Sequence, residues 1–420
     1  MSWLDRMLGR KSDAIDSDPR GQQLHDILTG GSSGSKSGAT VNATTAFQVS
    51  VVFACLRVLA EGVAQVPWKV MRSGESAVSR HPQRMDASDH PLYDLLHRKP
   101  NDWQTSFEFR EQLVIHAGLC GTAYAWKNKI TTRSRGTEIA ELILLDPGRM
   151  RVEQQQDWTI RYWARSAKGG DEREIPAEDL WVVRGPSWTG VKGLDVLRVA
   201  REAIGLAMST EETQARLHAK GVRPSGIYSV DGTLDSKQYK QLQDWIRQEF
   251  TGSEKTGVPM ILDRSAKWSS QTMSGVDAQH LETRAHQVAE ICRFFRVLPL
   301  MVGHSDKTQT FASAEQMFLA HVVHTLMPWY ERIQQSADVN LLTREERQQG
   351  YYTKLVEAGL LRGAMNDTAN YLHRLTLGGI MERNEARSKL DLNPLAGLDD
   401  PLTPTNMTTD PTGAPAPTGA

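Results

Sequence analysis

Very little in this sequence is of the kind that chemistry is built from. Three cysteines, Cys55, Cys120 and Cys292, stand in 420 residues. Their odd number and wide spacing exclude a disulfide framework and a cysteine-based zinc site. Each lies in an apolar pattern, so all three read as reduced, buried small side chains. An excess of charge of one sign is missing too: 49 Lys and Arg against 50 Asp and Glu leave a formal net charge of −1. That balance argues against a protein that grips nucleic-acid phosphates tightly. Long apolar runs are absent. The most apolar stretch, VSVVFACLRVLAEGVAQVPW, carries Arg57 and Glu61 and is too short to cross a bilayer. The start, MSWLDRMLGRKSD, lacks the apolar centre of a secretory signal. The expectation is a soluble protein of a reducing compartment with no membrane partner.

Catalytic signatures are missing as well. There is no Gly-x-Ser-x-Gly elbow, no Cys-x-x-Cys and no dinucleotide fingerprint. GGSSGSKS at 30–37 imitates a phosphate-binding loop, but Ser35 stands where the glycine before Lys36 is needed and no buried strand precedes it. It reads as a linker. His321 and His324 are three residues apart without the intervening Glu of a helical zinc site, and His280 and His286 do not share a helix face. The acidic pairs Glu211-Glu212 and Glu345-Glu346 lie in polar settings that would not raise a carboxyl pKa. The tryptophans are scattered, which favours core and interface anchors over a base-stacking platform. No catalytic residue, cofactor or metal is expected.

What is present is helical periodicity around a patch of short strands. Residues 47–66 put Val52, Leu56, Leu59, Val63 and Val66 on one face, and Pro67 ends the run. A helix is expected around 104–120, with Thr105 or Ser106 as its cap. Strands are expected at TAYAWKNKI, AELILLD, MRVEQ, TIRYWAR and DLWVVR. A helix over 193–220 stops at Gly221, and a small βαββ-like unit follows. A second long helix, 277–296, carries a narrow seam: Leu281, Ala285, Val288, Cys292 and Phe295. Around it, Glu282, Arg284, Gln287, Glu290 and Arg293 read as polar surface. A proline-terminated polar loop then leads into a third helix, for which Ser313-Ala-Glu315-Gln316 offers a capping box and Pro328 a kink. Beyond 344 the pattern reads as short helices, and the Pro/Thr/Gly-rich end reads as disordered.

These blocks come in a telling order: SVVFACLRVLAEGVAQVPW, HPLYDLLHRKPND, SFEFREQLVIHAGLCGTAYAW, LILLDPGRM, KGVRPSGIYSV, LQDWIRQEF, VPMILD, SGVDAQHLETRAHQVAEICRFFRVLPLMVG, ASAEQMFLAHVVHTLMPWYERI and GGIMERNEARSKLDLNPLAGLDD. Together, over about residues 45–400, they resemble the bacteriophage portal proteins of the HK97 type. The resemblance implies a mainly helical α+β subunit that assembles as a ring, usually of about twelve copies. Its parts would be a flexible arm (1–45), an α+β wing (46–190), a first stem helix (191–221), a small mixed α/β clip (222–274), a second stem helix (275–298), a tunnel loop (299–312), a long kinked wing helix (313–343), a helical crown (344–395) and a disordered tail (396–420).

The resemblance further implies a virion protein at one capsid vertex, assembled in the bacterial cytoplasm. Double-stranded DNA would pass through its channel during packaging and ejection. Terminase, the major capsid protein and a head-completion adaptor would be its partners. Gly303, His304, Ser305, Asp306, Lys307, Thr308, Gln309 and Thr310 would be the DNA-facing loop. The residues alone leave two other classes open: an oligomeric helical scaffold without a DNA channel, and a nucleotide- or metal-dependent enzyme using Lys36 or His321 and His324.

Overall fold

The computed structural model describes residues 35–132, 136–166, 172–220, 227–229, 235–237, 240–241, 244, 267–269, 274–304, 311–357, 365–390 and 392–402. The chain divides into two compact units, residues 1–54 with 196–295 and residues 55–195 with 296–420.

The second unit is built around helices threaded among three small antiparallel sheets. Helix α1 (Ser50–Ala64), most of which belongs to this unit, buries the face read from its periodicity, with Cys55, Leu56, Leu59, Ala60 and Val63 at 0–1% exposure. The chain leaves it through Pro67 into β1 (Trp68–Gly74), then β2 (Gln83–Asp86) and α2 (Pro91–His97). Helix α3 (Ser106–Cys120) starts at Thr105, whose hydroxyl accepts from the Glu108 N–H while the Glu108 carboxylate accepts from the Thr105 N–H. It stops at Gly121, in the left-handed region at φ 76°. A Cβ on Gly193 would lie 1.7 Å from the Gly121 carbonyl oxygen, so two backbones meet here and only glycine fits.

The expected strands follow: β3 (Thr122–Thr132), β4 (Gly136–Leu145), β5 (Met150–Gln154), β6 (Ile160–Arg165) and β8 (Leu180–Arg184). A further strand, β7 (Glu172–Ile175), is too polar to have stood out. They form the sheets β4-β3-β8 and β5-β6-β7. Trp181 of β8 sits at the centre of the core, 5.7 Å from the Trp68 ring and 6.3 Å from Phe109.

The third sheet, β11-β1-β2, corrects the reading of 344–395 as wholly helical. After a short helix at Arg344–Gln348, residues Tyr351–Leu355 are a strand, β11, paired with β1 from Trp68↔Leu355 to Arg72↔Tyr351. Its sequence, YYTKL, is β-prone. The long helix before it supplies partners: Asp338 accepts from the Thr353 N–H and Gln334 from the Leu355 N–H.

That long helix, expected as one kinked rod, is in three pieces. Residues Phe311–His321 are α-helical, Val322–Leu326 form a π-turn, and Met327–Asn340 are α-helical again. The helix is already running at Phe311, so Ser313 lies inside its first turn and not at a cap. Pro328 has no N–H for the His324 carbonyl, and its ring crowds that oxygen. The chain answers by widening the turn: the Met327 N–H bonds back five residues to Val322.

The C-terminal part also corrects an expectation. The chain continues past 396 in contact with the fold. Asn384, 1% exposed, donates to Leu395 and Asp399, and Asp399 in turn accepts from Ser79. Residues 403–420 lie outside the described residues.

In the first unit, the end of the expected arm is built and not free. Asn42 and Thr45 cap each other around the turn Ala43–Ala46, and Val41 and Ala46 are buried. Helix α4 (Arg201–Lys220) follows a single turn at Val196–Val199. Strands β9 (Ile227–Ser229) and β10 (Lys267–Ser269) pair antiparallel, and α5 (Ser274–Phe295) closes the unit. Most of the expected clip, 222–274, lies outside the described residues.

Candidate functional site: the stem helices and the root of the loop

The two helices read as stems lie in the first unit and touch. The Arg284 guanidinium is 3.5 Å from Glu211, and the Gln287 side chain donates to the Thr210 hydroxyl at 3.4 Å. Of the expected seam, Cys292 and Phe295 are buried, Ala285 and Val288 are half-buried, and the Leu281 side chain lies outside the described residues. The most buried stripe of α5 is Gln287, Ile291, Cys292 and Phe295. Gln287 therefore leaves the group of polar surface residues. A heptad-like pattern cannot reveal this, because the residue is polar and its burial depends on a partner hydroxyl on α4. Arg293 pairs with Glu290 three residues earlier on the same helix.

Beyond α5 the chain turns sharply. Arg296 is left-handed at φ 56°, Leu298 is extended, Pro299–Val302 form a 3₁₀ turn, and Gly303 is left-handed at φ 78°. The Gly303 N–H bonds to Leu300 and that of His304 to Pro299. Of the loop read as DNA-facing, Gly303 and His304 are thus placed, at the end of a defined turn. Ser305, Asp306, Lys307, Thr308, Gln309 and Thr310 lie outside the described residues.

The rival chemical readings gain nothing from their surroundings. Ser35–Ser37 turn against α4, where the Lys36 N–H donates to the Glu202 carboxylate at 3.1 Å. A backbone donor spent on a carboxylate is not part of a phosphate cradle. Serine sits over Gly205, where a Cβ would lie 2.4 Å from the Ser35 hydroxyl. His321 is buried, with its pKa lowered by desolvation, while His324 on the π-turn is exposed. The pair does not share one environment.

One mixed cluster in the second unit, His81, Glu382 and Asp399, brings ligand-type atoms within 4.8 Å of one another. Its carboxylates already have protein partners. Arg80 pairs with Glu382, His81 contacts Glu382 at 2.9 Å, and Ser79 and Asn384 hold Asp399, lowering its pKa. The cluster ties the β1–β2 connection to the C-terminal segment.

Among the described residues, the helices pair, the root of the loop is a defined turn and the clustered carboxylates have structural partners. A family model described as phage portal protein matches residues 50–391. The chain belongs to that family, which is structural and not a family of enzymes. It is 25% identical over 363 residues to the portal protein of Enterobacteria phage HK97, covering 86% of this chain and 82% of that one. It is 27% identical over 369 residues to the probable portal protein of Streptomyces phage phiC31, covering 86% and 78%. Its fold is similar to a chain in the neck of a native gene transfer agent particle computed with C12 symmetry. There the TM-score is 0.57 at 22% identity, covering 84% of this chain and 92% of the other.

Proposed function

We propose that the protein is the ring-forming portal of a phage-type capsid, a channel at one vertex through which double-stranded DNA enters and leaves. Membership of the portal family over residues 50–391 carries the reading. The C12 symmetry of the gene transfer agent neck supports a ring of about twelve copies. Terminase, the major capsid protein and a head-completion adaptor are its proposed partners, with the clip, 222–274, as the docking face.

Electrostatics suit a conduit. Duplex DNA carries about one negative charge per 1.7 Å of axis, and every neutralised phosphate adds salt-dependent affinity. A ring multiplies each contact by its copy number. The segment Gly303–Thr310 carries one Lys and one Asp among hydroxyl and amide groups, a composition fit for weak, sequence-blind phosphate contacts that do not brake the DNA. The near-zero net charge fits the same role.

Electron microscopy of the purified protein, with its mass in solution, tests the ring: open rings of about a dozen subunits are expected. Deleting Ser305–Thr310 tests the loop. Intact rings with impaired packaging are the expected result. Normal packaging by intact rings lacking the loop removes its DNA role.

A further inference from the structure

Where the second stem helix ends, the chain does something costly. Phe295 is the last residue of α5 and of the first unit, and Arg296 opens the second. A left-handed residue after a helix is common, but it is normally glycine, because a Cβ is crowded there. Arg296, at φ 56°, has no such freedom. Something must hold it.

The holder is the π-turn. The buried Thr325 hydroxyl donates to the Arg296 carbonyl at 2.8 Å. The next residue, Leu326, fills the notch left by Gly62 on α1, where a Cβ would lie 2.8 Å from its Cδ2. One turn on, the Tyr330 hydroxyl donates to the Gly62 carbonyl at 2.8 Å. The π-turn is thus clamped to α1 on one side and grips the strained residue on the other.

We infer that Arg296 is a loaded hinge at the foot of the second stem helix, latched by Thr325. When the hydroxyl lets go, Arg296 falls back to the right-handed helical region and α5 lengthens. The lengthening is bounded. Leu298 precedes a proline and is held extended at ψ 135°, so the helix gains Arg296 and Val297 and stops. At 1.5 Å per residue the foot of the helix moves by about 3 Å. The 3₁₀ turn Pro299–Val302 then leaves the helix from a new point. The latch is an order–strain device of the kind that collects at moving parts. It rests on the portal reading only for its use, since the Pro299–Val302 turn leads into the loop proposed to touch DNA.

Hydrogen exchange on the assembled full-length protein tests it. Thr325→Val removes the hydroxyl at constant shape and is expected to speed exchange at Met301, Gly303 and His304, whose N–H groups are bonded within the turn, at least tenfold. Thr325→Ser keeps the hydroxyl and restores protection. In the double variant Arg296→Gly/Thr325→Val, glycine holds the left-handed conformation without help, and exchange returns to within about threefold of the parent. Arg296→Gly alone raises the thermal midpoint. Unchanged exchange in Thr325→Val, failure of the glycine to rescue it, or a lowered midpoint in Arg296→Gly each overturns the hinge. Exchange that responds as expected while the DNA content of particles stays constant upholds the hinge and refutes the loop's DNA role.

Discussion

Lys127 lies buried on β3 with its ammonium on the carbonyl of Asn340, at the end of the long helix, 2.8 Å away. Burial pulls its pKa down to about 8. The unfolded chain, near 10.4, then holds more protons than the folded one between those values, so this group's contribution to stability rises with pH across that window and is least favourable below it. Cys120 acts in the opposite sense: burial pushes its thiol up to about 12. Comparing the parent with Lys127→Met isolates the lysine. Chemical denaturation from pH 7 to 10 is expected to show the parent gaining on the variant as pH rises.

Glu346 is the acid-side counterpart. A hydrogen bond from His90, with the Thr343 cap, holds its carboxyl down to about 2. His90 Nδ1 accepts from the Leu92 N–H, so Nε2 carries the proton toward Glu346. A depressed carboxyl contributes fully above its unfolded pKa and is lost as pH falls toward 2. Glu346→Gln is expected to cost about 1 kcal/mol at neutral pH and to flatten the acid limb between pH 4.5 and 2, read by circular dichroism. Caps of this sort are legible in a sequence. The sequence left Thr105 and Ser106 both open as the cap, and Thr105-x-x-Glu108, its partners three residues apart, is the one that forms. The His90–Glu346 contact is not legible, since its partners are 256 positions apart.

Among the elements, the long helix repays most thought. Its break was legible from Pro328, but its form was not. A proline signals a lost hydrogen bond without saying whether the chain kinks or widens into a π-turn; contacts with α1 and Arg296 accompany the choice made here. Gly62 gives a handle on that clamp. Gly62→Ala forces a methyl against Leu326 and is expected to cost about 1–3 kcal/mol. Adding Leu326→Val should recover part of the loss, and a double-mutant cycle by thermal denaturation measures the coupling. Five of the strands of residues 122–184 were plain from alternation and turn residues, and only the polar β7 was not. Strands β1 and β11 were not, because their pairing joins segments nearly three hundred residues apart. Gln287 was missed for a kindred reason: a hydrogen bond across two helices, invisible in either alone.

At the scale of the whole molecule, the order of blocks along the chain carried the family where no single motif did. The segment past 396 is held by polar contacts, which hydropathy cannot weigh. Asn384, Asp399, Ser79, Arg80 and Glu382 bind the C-terminal segment to the β1–β2 connection. A chain ending at 402 keeps every one of these contacts and serves as the reference. One ending at 381 strips Asn384, Glu382 and Asp399 from their partners and should melt several degrees lower, by about 2–4 °C for each kcal/mol lost. Scanning calorimetry distinguishes the two, and equal melting of both would show that the network adds nothing.

The pairing of β1 with β11 has a consequence for how the protein is made. Trp68 and Leu355 are joined in one ladder although nearly three hundred residues separate them. At roughly 5–20 residues per second on the ribosome, β1 emerges about 15–60 s before its neighbour exists. Through that interval β1 has one bare edge, the row of N–H and C=O groups that β11 will pair. Synthesis therefore leaves the nascent chain dependent on shielding of that edge until residues 351–355 have emerged, and slow translation upstream of 351 would prolong its exposure.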